Sequence, residues 1–403
     1  MNIRIAPGTA RGTVAVPPSK SMAHRLLICA GMSEGESVIH GISDCEDVQA
    51  TMDCLRAMGV QCRQSGDTVR VQGTDFRTAR AHGELACRES GSTLRFLIPP
   101  VLLTCSPATF TGYGRLMERP MQVYADICRE RGLLFRQEKG RITVGGGLPA
   151  GVYALPGDVS SQFISGLLFA LPLAAGQSEI RLTTPTESRS YLLLTLDAMR
   201  QFGVEAGWTS DRRLSVPGGQ RYCAREVAVE GDYSNAAFLD AFNFLGGAVT
   251  LTGLRPDSLQ GDRCYREAME RLREGPAEIS LRDCPDLGPV LFAVAAACRG
   301  GVFTGTRRLR LKESDRVAAM RQELAAFGAE LYAGEDRVEI PPAKLHPPAR
   351  VLDGHNDHRI VMALSLLLTL TGGEIAGAEA VRKSYPEFFA DLGRLGLCTE
   401  IVK

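Results

Sequence analysis

A chain of 403 residues is longer than one hydrophobic core usually serves, so its length predicts two domains. It carries 46 lysines and arginines against 46 aspartates and glutamates, which gives a formal net charge of zero. Because no overall positive field attracts the whole chain to nucleic acid or to a membrane, any selectivity for anions must be local.

The start of the chain, MNIRIAPGTARGTVAVPPSK, lacks the apolar core of a secretory signal, and no apolar run is as long as a membrane span. These features predict a cytoplasmic protein. The twelve cysteines form no C-x-x-C pair and have no histidine at zinc-ligand spacing. They are interpreted as reduced thiols, mostly buried as small hydrophobic groups, and no metal site is expected.

The first repeated element is a charged, amphipathic helix that ends in glycine and is followed by a short apolar strand. A glycine after a helix adopts the left-handed conformation at little cost, so it ends the helix before the strand. Successive copies lie roughly 70 residues apart, except for one shorter interval between the fourth and fifth. The six glycines are Gly59, Gly132, Gly203, Gly275, Gly328 and Gly396.

The second repeated element is a polar start followed by a more apolar helix, and it shows the same spacing and the same short interval. Its copies end near Gly35, Ser106, Gly176, Gly246, Gly300 and Gly372. The two patterns together predict six β-α-β-α-β-type units, three in each half, with the apolar helix central and the charged helix nearer solvent. The boundary between the two halves is predicted near the turn 230–233. In the second copy, Pro99 and Pro100 are expected to kink or shorten the central helix.

The polar starts of the central helices allow two interpretations. Free backbone amides and the helix dipole favour anions, so several starts aimed at one place would bind phosphate. Ordinary helix capping is the commoner use of such residues, and it stays open for each residue taken singly. The residues concerned are Ser90, Ser160, Ser161, Asp286 and Asp357.

Cations near these starts favour anion binding, because long charged side chains are rarely buried without partners. Four lie in or beside apolar helices (Lys20, Arg25, Arg95, Arg359), and four lie in connecting segments (Arg119, Lys312, Arg316, Lys383). Two alternatives stay open. Lys312 and Arg316 could form salt bridges with Glu313 and Asp315 on an exposed helix, and His358 could be a simple hydrogen-bonding residue at a helix start.

With these residues assembled, the chain resembles the 5-enolpyruvylshikimate-3-phosphate synthase family of enolpyruvyl transferases. The motifs appear in order as PPSKSMAHR, SGSTLR, ERP, VSSQF, SRSY, EGDYS, PDLGP, LKESDR, NDHR and KSYP. The resemblance implies an α/β fold with two similar domains, each of three β-α-β-α-β-β units arranged as an inside-out α/β barrel. The implied domains are 1–15 with 229–403, and 16–228. The helix N-termini are expected to face a cleft between them that holds the active site.

The resemblance implies transfer of the enolpyruvyl group of phosphoenolpyruvate to the 5-hydroxyl of shikimate 3-phosphate, with release of phosphate by addition and elimination. Shikimate 3-phosphate would contact Lys20, Ser21, Arg25, Ser160, Ser161, Gln162, Ser188, Tyr191, Asp286 and Lys312. Phosphoenolpyruvate would contact Lys20, Gly91, Arg95, Arg119, Gln162, Arg316, Arg359 and Lys383. Gly91 suits this place because a side chain there would crowd a small ligand.

The implied catalytic residues are Lys20, Asp286, Glu313 and Lys383. Asp286 is expected to orient and deprotonate the hydroxyl, Glu313 to exchange the methyl proton, and the two lysines to stabilise charge or relay protons. The family implies no cofactor, no nucleic-acid partner and no membrane partner, and a monomer is the default expectation. Glu89 and Arg308 depart from the family pattern, which commonly has asparagine at both places.

Two other functions stay open at the level of sequence. The sister UDP-N-acetylglucosamine enolpyruvyl transferases usually carry a reactive cysteine just before their Arg-Pro, whereas the stretch here is TGYGRLMERP. RNA terminal phosphate cyclases share a similar folding unit, but the zero net charge and the lack of an aromatic-basic stripe disfavour an RNA substrate.

Overall fold

The computed structural model describes residues 1–104 and 106–402. The chain forms two compact units. One, here called the terminal unit, consists of Met1–Pro17 and the chain from Gly231 onward, and the other, the inserted unit, is Pro18–Glu230. Each unit has a hydrophobic core of its own.

Six helices with apolar interiors form the centres of these cores. They are α1 Lys20–Gly31, α3 Gly91–Leu102, α5 Ser161–Ala170, α7 Tyr233–Phe244, α9 Gly288–Ala297 and α11 His358–Thr371. Their burial is nearly continuous along the helix, because the residues after the polar start are apolar on every face. These are the predicted central helices, and their central position is confirmed.

Six further helices alternate with them and bury one face only. They are α2 Glu46–Ala57, α4 Gln122–Arg131, α6 Arg189–Gln201, α8 Tyr265–Glu274, α10 Arg316–Ala326 and α12 Phe388–Arg394. Each ends just before one of the predicted glycines. Gly132, for example, caps α4 with φ of 66°. Gly275 differs, because its φ of 176° is extended, so its left-handed conformation was wrongly predicted.

Five four-stranded sheets repeat one topology, in which the first two strands are parallel and the other pairs are antiparallel. Three lie in the inserted unit. The first has the strand order β16 Glu226–Ala228, β4 Glu36–His40, β6 Thr68–Gln72 and β5 Gln61–Ser65, and the second has the order β7 Leu85–Ala86, β8 Ala108–Thr111, β10 Arg141–Gly145 and β9 Leu134–Glu138. The third has the order β11 Val152–Leu155, β12 Ser178–Leu182, β14 Arg213–Val216 and β13 Gly207–Ser210. Two lie in the terminal unit: β18 Ala277–Ser280, β19 Gly301–Thr304, β21 Arg337–Ile340 and β20 Tyr332–Ala333; β22 Leu352–Asp353, β23 Gly373–Ala376, β1 Asn2–Ile5 and β24 Thr399–Val402.

The remaining unit, the fourth along the chain, is reduced, which explains the short interval in both sequence patterns. Its strand β17 Ala248–Thr252 pairs in parallel with β2 Arg11–Ala15 in a two-stranded sheet. After α8 the chain passes directly into β18, without the antiparallel hairpin that follows α2, α4, α6 and α10. A second two-stranded sheet pairs β15 Tyr222–Cys223 with β3 Ser33–Glu34. The α/β class and the repeated unit are therefore confirmed.

Of the two effects predicted for the prolines of α3, a kinked or a shortened helix, the shortening is wrong. The helix continues through Pro99 and Pro100 to Leu102 and is as long as α1. Proline at 99 removes the amide that would bond the carbonyl of Arg95. The buried hydroxyl of Tyr124 takes its place and donates to Arg95 O at 2.7 Å. A tertiary contact thus supplies the hydrogen bond that the helix loses.

Most described cysteines are free and buried, as predicted: seven of eleven, namely Cys29, Cys45, Cys54, Cys62, Cys87, Cys128 and Cys284. Cys105 lies outside the described residues. Within 1–104 and 106–402, no cluster of histidine, cysteine and acidic side chains is arranged to hold a metal ion. No helix in the same ranges combines the length and the apolarity needed to cross a membrane.

Candidate active site

One buried arginine, Arg25 of α1, ties together three helices of the inserted unit. Its Nε donates to Thr195 Oγ1 on α6 at 2.9 Å, and its Nη2 donates to the carbonyl of Tyr191 at 3.0 Å. Thr195 shares a hydrogen bond of 2.8 Å with Ser165 of α5. These contacts hold α1, α5 and α6 side by side near their midpoints.

The environment of Arg25 keeps it rigid and charged. The side chain is 2% exposed, and its guanidinium carbon lies 4.9 Å from the centroid of the Phe96 ring. Burial lowers its pKa to about 10, so the group still carries its charge at neutral pH. A cation fixed by neutral partners keeps its positive field for a ligand.

The starts of the same three helices carry the remaining residues predicted to bind shikimate 3-phosphate in this unit. They are Lys20 and Ser21 on α1, Ser160, Ser161 and Gln162 on α5, and Ser188 and Tyr191 on α6. Ser160 caps α5 by accepting a hydrogen bond from Gln162 N at 3.3 Å. Ser188 precedes α6 with φ of 57°, a conformation that non-glycine residues rarely adopt. The structure thus gathers hydroxyls and free amides at one end of adjacent helices.

A second group in the inserted unit surrounds Gly91, the first residue of α3. A β-carbon at this position would lie 2.7 Å from Arg119 Nη1 and 3.6 Å from Arg95 Nη1. Arg95 donates to Gln162 Oε1 at 2.7 Å, and Gln162 Nε2 donates to Ser92 Oγ at 3.0 Å. These contacts bring together four of the residues predicted to bind phosphoenolpyruvate.

Asp47, which was not predicted as a site residue, pairs with Lys20 in the same unit. Lys20 Nζ lies 2.7 Å from Asp47 Oδ2, and both side chains are almost buried. Asp47 lies in the first turn of α2, where an acidic residue also fits the helix dipole. Nothing in the sequence distinguishes it from the neighbouring Glu46, so only the packing of α1 against α2 identifies it.

In the terminal unit, three cations converge on Asp286. Lys312 Nζ and Arg316 Nη1 lie 3.1 and 2.9 Å from its Oδ1, and Arg359 Nη2 lies 3.1 Å from its Oδ2. Burial favours the neutral acid, but the charges of Arg359, Lys312 and Arg316 outweigh it and hold the pKa of Asp286 well below its usual range. Asp286 lies in a 3-10 turn, Pro285–Leu287, so its interpretation as a helix cap is wrong.

Arg316 joins three carboxylates. Its Nε donates to Asp357 Oδ2 at 2.9 Å, and its Nη2 donates to Glu313 Oε2 at 2.7 Å, in addition to the contact with Asp286. The side chain is 1% exposed and α10 begins at Arg316 itself, after Lys312 and Glu313. The alternative of salt bridges on an exposed helix is therefore wrong. Burial lowers the pKa of Lys312 below its ordinary value, although Asp286 opposes this shift.

Helix capping is the observed role of three of the polar starts. Ser90, Ser160 and Asp357 each accept a hydrogen bond from an amide of the helix that follows. Ser161 is the first helical residue and is not a cap. His358, the first residue of α11, is buried, and its Nδ1 lies 3.8 Å from Asp357 Oδ1.

Lys383 lies in another segment of the chain and joins the charged network around Asp286, here called the terminal cluster. It is buried at the end of a 3-10 helix, Ala378–Lys383, and its Nζ donates to the carbonyl of Asn356 at 2.6 Å. Asn356 directly precedes Asp357, so the turn before α11 meets both Lys383 and Arg316. Lys383, Arg316, Arg359 and Lys312 are therefore brought into one network of the terminal unit.

Backbone strain is concentrated at these helix starts. Among the described residues, only four non-glycine residues have positive φ: Arg88, Ser188, His355 and Asn356. Each lies within two residues of the cap of α3, α6 or α11. Such conformations cost about 1 to 3 kcal/mol each and persist where the surroundings impose them, often at functional sites.

The two departures from the family pattern have defined places. Glu89 lies between the strained Arg88 and the cap Ser90, and its carboxylate occupies the space that a side chain at Gly114 would need. Arg308 is almost buried and donates to the carbonyl of Arg282. Its charge also contributes to lowering the pKa of Lys312.

A buried acid beside the terminal cluster also escaped prediction. Asp262 is 3% exposed, accepts a hydrogen bond from Ser234, and has its pKa raised to about 7 by burial and by the nearby charge of Asp286. Its sequence context, an acid in a turn before a helix, is ordinary. Asp262 is buried because α7, which carries Ser234, packs against this turn.

Each unit therefore presents a distinct chemical set. The inserted unit offers cations, hydroxyls and helix amides, which suit an anion such as a phosphate group. The terminal unit offers carboxylates in contact with lysines and arginines, a combination that can move protons as well as bind anions.

Comparison with known proteins agrees with this chemistry. The family model of EPSP synthase (3-phosphoshikimate 1-carboxyvinyltransferase) matches residues 6–392. A 3-phosphoshikimate 1-carboxyvinyltransferase of Clostridium kluyveri is 39% identical over 98% of this chain and 97% of its own length, and one of Clostridium botulinum (strain Alaska E43) is 37% identical with the same coverage.

Solved structures give the same result. An EPSP synthase of Acinetobacter baumannii superposes with a TM-score of 0.80, 26% identity and full coverage of both chains. The enolpyruvyl transferase NikO of Streptomyces tendae shares the fold, with a TM-score of 0.79, 13% identity and coverage of 99% of this chain and 98% of its own. These relatives fit the main prediction and not the two alternatives. This chain belongs to the EPSP synthase family of enolpyruvyl transferases.

Proposed function

We propose that this chain transfers the enolpyruvyl group of phosphoenolpyruvate to the 5-hydroxyl of shikimate 3-phosphate and releases phosphate, a step of aromatic amino-acid biosynthesis. The observation that carries the proposal is the network around Asp286, in which Lys312, Arg316 and Arg359 share one partly buried carboxylate. Its residues are the ones that the family motifs predict for substrate binding and proton transfer.

Shikimate 3-phosphate takes the starts of the three joined helices of the inserted unit. Its phosphate accepts hydrogen bonds from Ser160, Ser161 and Gln162 at the start of α5 and from Ser188 beside it. The cations Lys20 and Arg25 supply the charge, and Ser21 and Tyr191 line the same end of α1 and α6. Asp286 and Lys312 contact the ring hydroxyls.

Phosphoenolpyruvate takes the cations around Gly91, where the missing side chain leaves room. Arg95, Arg119 and Gln162 hold one part of it. Lys20 and Lys383, together with Arg316 and Arg359, neutralise the rest of its charge. Both substrates are multiply anionic, so cations from both sets are needed to hold them together.

Without substrate, the carboxylates of the terminal unit pair with the cations that bind the substrate anions during the reaction. Asp286 is a weak base while three cations surround it, because they stabilise its charged form. When the phosphate and carboxylate of phosphoenolpyruvate draw Arg316 and Arg359 toward themselves, the pKa of Asp286 rises. Asp286 then orients the 5-hydroxyl and accepts its proton as the oxygen attacks the enolpyruvyl carbon.

The remaining proton transfers fall to groups beside Asp286. Glu313, once released from Arg316 and protonated from solvent, gives that proton to the methylene carbon in the addition step. It takes a proton back from the methyl group as the carbon–oxygen bond to phosphate breaks in the elimination step. Lys20 and Lys383 stabilise the leaving phosphate or relay protons to it. The cycle is balanced, because Glu313 regains from the methyl group the proton that it lost, and the hydroxyl proton accepted by Asp286 leaves on the phosphate.

The two predicted domains, 1–15 with 229–403 and 16–228, close around the substrates and exclude water from the intermediate. We also propose a monomer that works in the cytoplasm. Small-angle scattering with and without shikimate 3-phosphate tests closure, and a smaller radius of gyration is expected with the ligand. Identical profiles would contradict closure.

The test of the function is an assay of phosphate release. Incubation with shikimate 3-phosphate and phosphoenolpyruvate is expected to release phosphate, whereas either substrate alone releases none. A parallel arm replaces shikimate 3-phosphate with UDP-N-acetylglucosamine. Release in that arm alone would overturn the proposal in favour of the sister activity.

A further inference from the structure

The turn before α11 has an unusual backbone, because His355 and Asn356 both adopt left-handed conformations, with φ of 50° and 49°. Two such residues in succession cost on the order of 2 kcal/mol or more. The turn nevertheless carries two functional contacts. The carbonyl of Asn356 accepts from Lys383 Nζ at 2.6 Å, and Asp357 accepts from Arg316. Something outside the turn must therefore impose its shape.

The chain just before this turn is held by one buried carboxylate, Glu323 of α10. Its side chain is fully buried. Arg350 Nη1 lies 2.9 Å from its Oε2, and the amide of Asp353 donates to the same oxygen at 3.2 Å. His355 Nε2 lies 3.1 Å from its Oε1. One carboxylate thus binds the segment 350–355 at three points.

Glu323 is also well placed along α10. Arg316 and Glu323 lie seven residues apart, which is close to two helical turns, so they occupy the same face. Arg316 binds Asp357 after the turn, and Glu323 binds the segment before it. The helix therefore holds the strained turn from both sides.

We propose that Glu323, acting through His355 and Arg350, is a positioning residue that sets the places of Lys383 and Asp357. This inference rests on the proposed function, since it concerns the site of that reaction. Glu323 touches neither substrate in this role. Loss of its charge releases the segment 350–355, the turn relaxes toward ordinary dihedral angles, and Lys383 loses the carbonyl that aligns it.

The proposal also predicts a dependence on pH. The hydrogen bond that His355 donates to the Glu323 carboxylate raises the pKa of His355 above its ordinary value near 6.5. The other acids that face His355 are Asp353 and Asp357, and Arg350 shares Glu323 with it. A raised pKa means that the contact is complete at low pH and weakens as pH rises through the folded-state pKa. Activity should therefore fall on the alkaline side.

Glu323→Gln keeps the size of the side chain and removes its charge. It is expected to lower kcat/KM for phosphoenolpyruvate by about tenfold or more, while the affinity for shikimate 3-phosphate stays within about twofold. Glu270→Gln is the matched control, because Glu270 forms an exposed ion pair with Arg273 at 2.6 Å in the same unit. It should leave both parameters unchanged.

His355→Gln separates positioning from folding, because glutamine still donates to Glu323 and does not titrate. It should keep activity near that of the wild type at neutral pH and lose the alkaline fall that His355 causes. The signals of His355 in NMR spectra of the wild type should titrate above the ordinary range. If Glu323→Gln fails to fold, this variant and the titration decide the question.

The outcomes distinguish this inference from the proposed function. A wild-type chain that releases no phosphate refutes the function, whatever the variants do. A wild-type chain that is active, with Glu323→Gln equal to it in kcat/KM or His355→Gln equal to it in pH profile, overturns the positioning role alone.

Discussion

The central arginines of the two units, Arg25 and Arg316, are stabilised in opposite ways. In the inserted unit, Arg25 is held by a threonine hydroxyl, two backbone carbonyls and an aromatic ring. In the terminal unit, Arg316 is held by the carboxylates of Asp286, Glu313 and Asp357. The first arrangement leaves positive charge available to a ligand, and the second already contains the anions that a ligand must replace.

This difference suggests a division of labour. A preformed positive site binds a phosphate without rearrangement, which suits a substrate that must be held throughout the reaction. A neutralised cluster changes the pKa of its carboxylates when a substrate anion enters, which suits proton transfer. The predictions below break one cluster at a time.

The largest effect is expected from removal of a catalytic charge in either cluster. Lys20→Met and Asp286→Ala should each reduce turnover by on the order of 10³-fold or more, because charge stabilisation or the base is lost. Circular dichroism should show an unchanged fold. Activity near that of the wild type in either variant would refute the role given to that residue.

A smaller loss is expected from Glu313→Gln. Removal of this acid should lower kcat by on the order of 10²-fold, the lower end of the usual contribution of a general acid or base, with a much smaller change in KM. Steady-state kinetics at saturating shikimate 3-phosphate would measure this split. A rise in KM with an unchanged kcat would show that Glu313 only balances the charge of Arg316.

Arg25→Ala tests whether the arginine held by neutral groups in the inserted unit binds the substrate. It should weaken the binding of shikimate 3-phosphate by on the order of 100-fold, because a charge-assisted contact is worth about 1.5 to 3 kcal/mol and three helices lose their common anchor. Isothermal titration calorimetry measures this directly. Arg189→Ala is the control, because it removes an exposed arginine at the start of α6, one of the three helices that Arg25 joins. Equal affinities in both variants would contradict the assignment.

The pH dependence of stability should distinguish the clusters further. The folded-state pKa of Asp286 is depressed, so its contribution is present above the unfolded-state pKa and is lost as pH falls through the folded-state value. Urea denaturation should show that the wild type loses more unfolding free energy in acid than Asp286→Asn does. Parallel curves for the two proteins would contradict this.

The smallest effect concerns scaffolding alone. Tyr124→Phe removes the hydroxyl that bonds the carbonyl freed by Pro99, and it should destabilise the protein by about 1 to 3 kcal/mol, the usual cost of leaving a buried acceptor unpaired. Thermal unfolding would measure the loss. Activity at low temperature should be retained, because the hydroxyl of Tyr124 bonds the backbone of Arg95 and not its guanidinium group.

Much of the fold follows from sequence because its signals are local. A polar cap before an apolar run starts a helix, and a glycine after a charged helix ends it, so the helices and their repeat could be predicted. The short interval between the fourth and fifth units likewise corresponds to a missing hairpin. The shortening of α3 was wrongly predicted because Tyr124, whose hydroxyl bonds the carbonyl freed by Pro99, lies on another helix.

The site was only partly predictable for a related reason. Charged residues near helix starts, such as Arg25 and Lys312, are visible in the sequence. The partners that define their state are not. Asp47, Asp262 and the strained turn at His355 acquire their roles only through the packing of distant segments, so their local sequence carries no distinctive pattern.

The most direct test of the whole account follows the atoms of the transfer by NMR. With both substrates present, the vinyl protons of phosphoenolpyruvate should move to an enol ether on the 5-oxygen of shikimate 3-phosphate, while its ³¹P signal becomes that of inorganic phosphate in equal amount. Solvent deuterium should enter the methylene group during turnover, because the addition and elimination steps pass through a methyl group. Phosphate release without the enol ether would contradict the account.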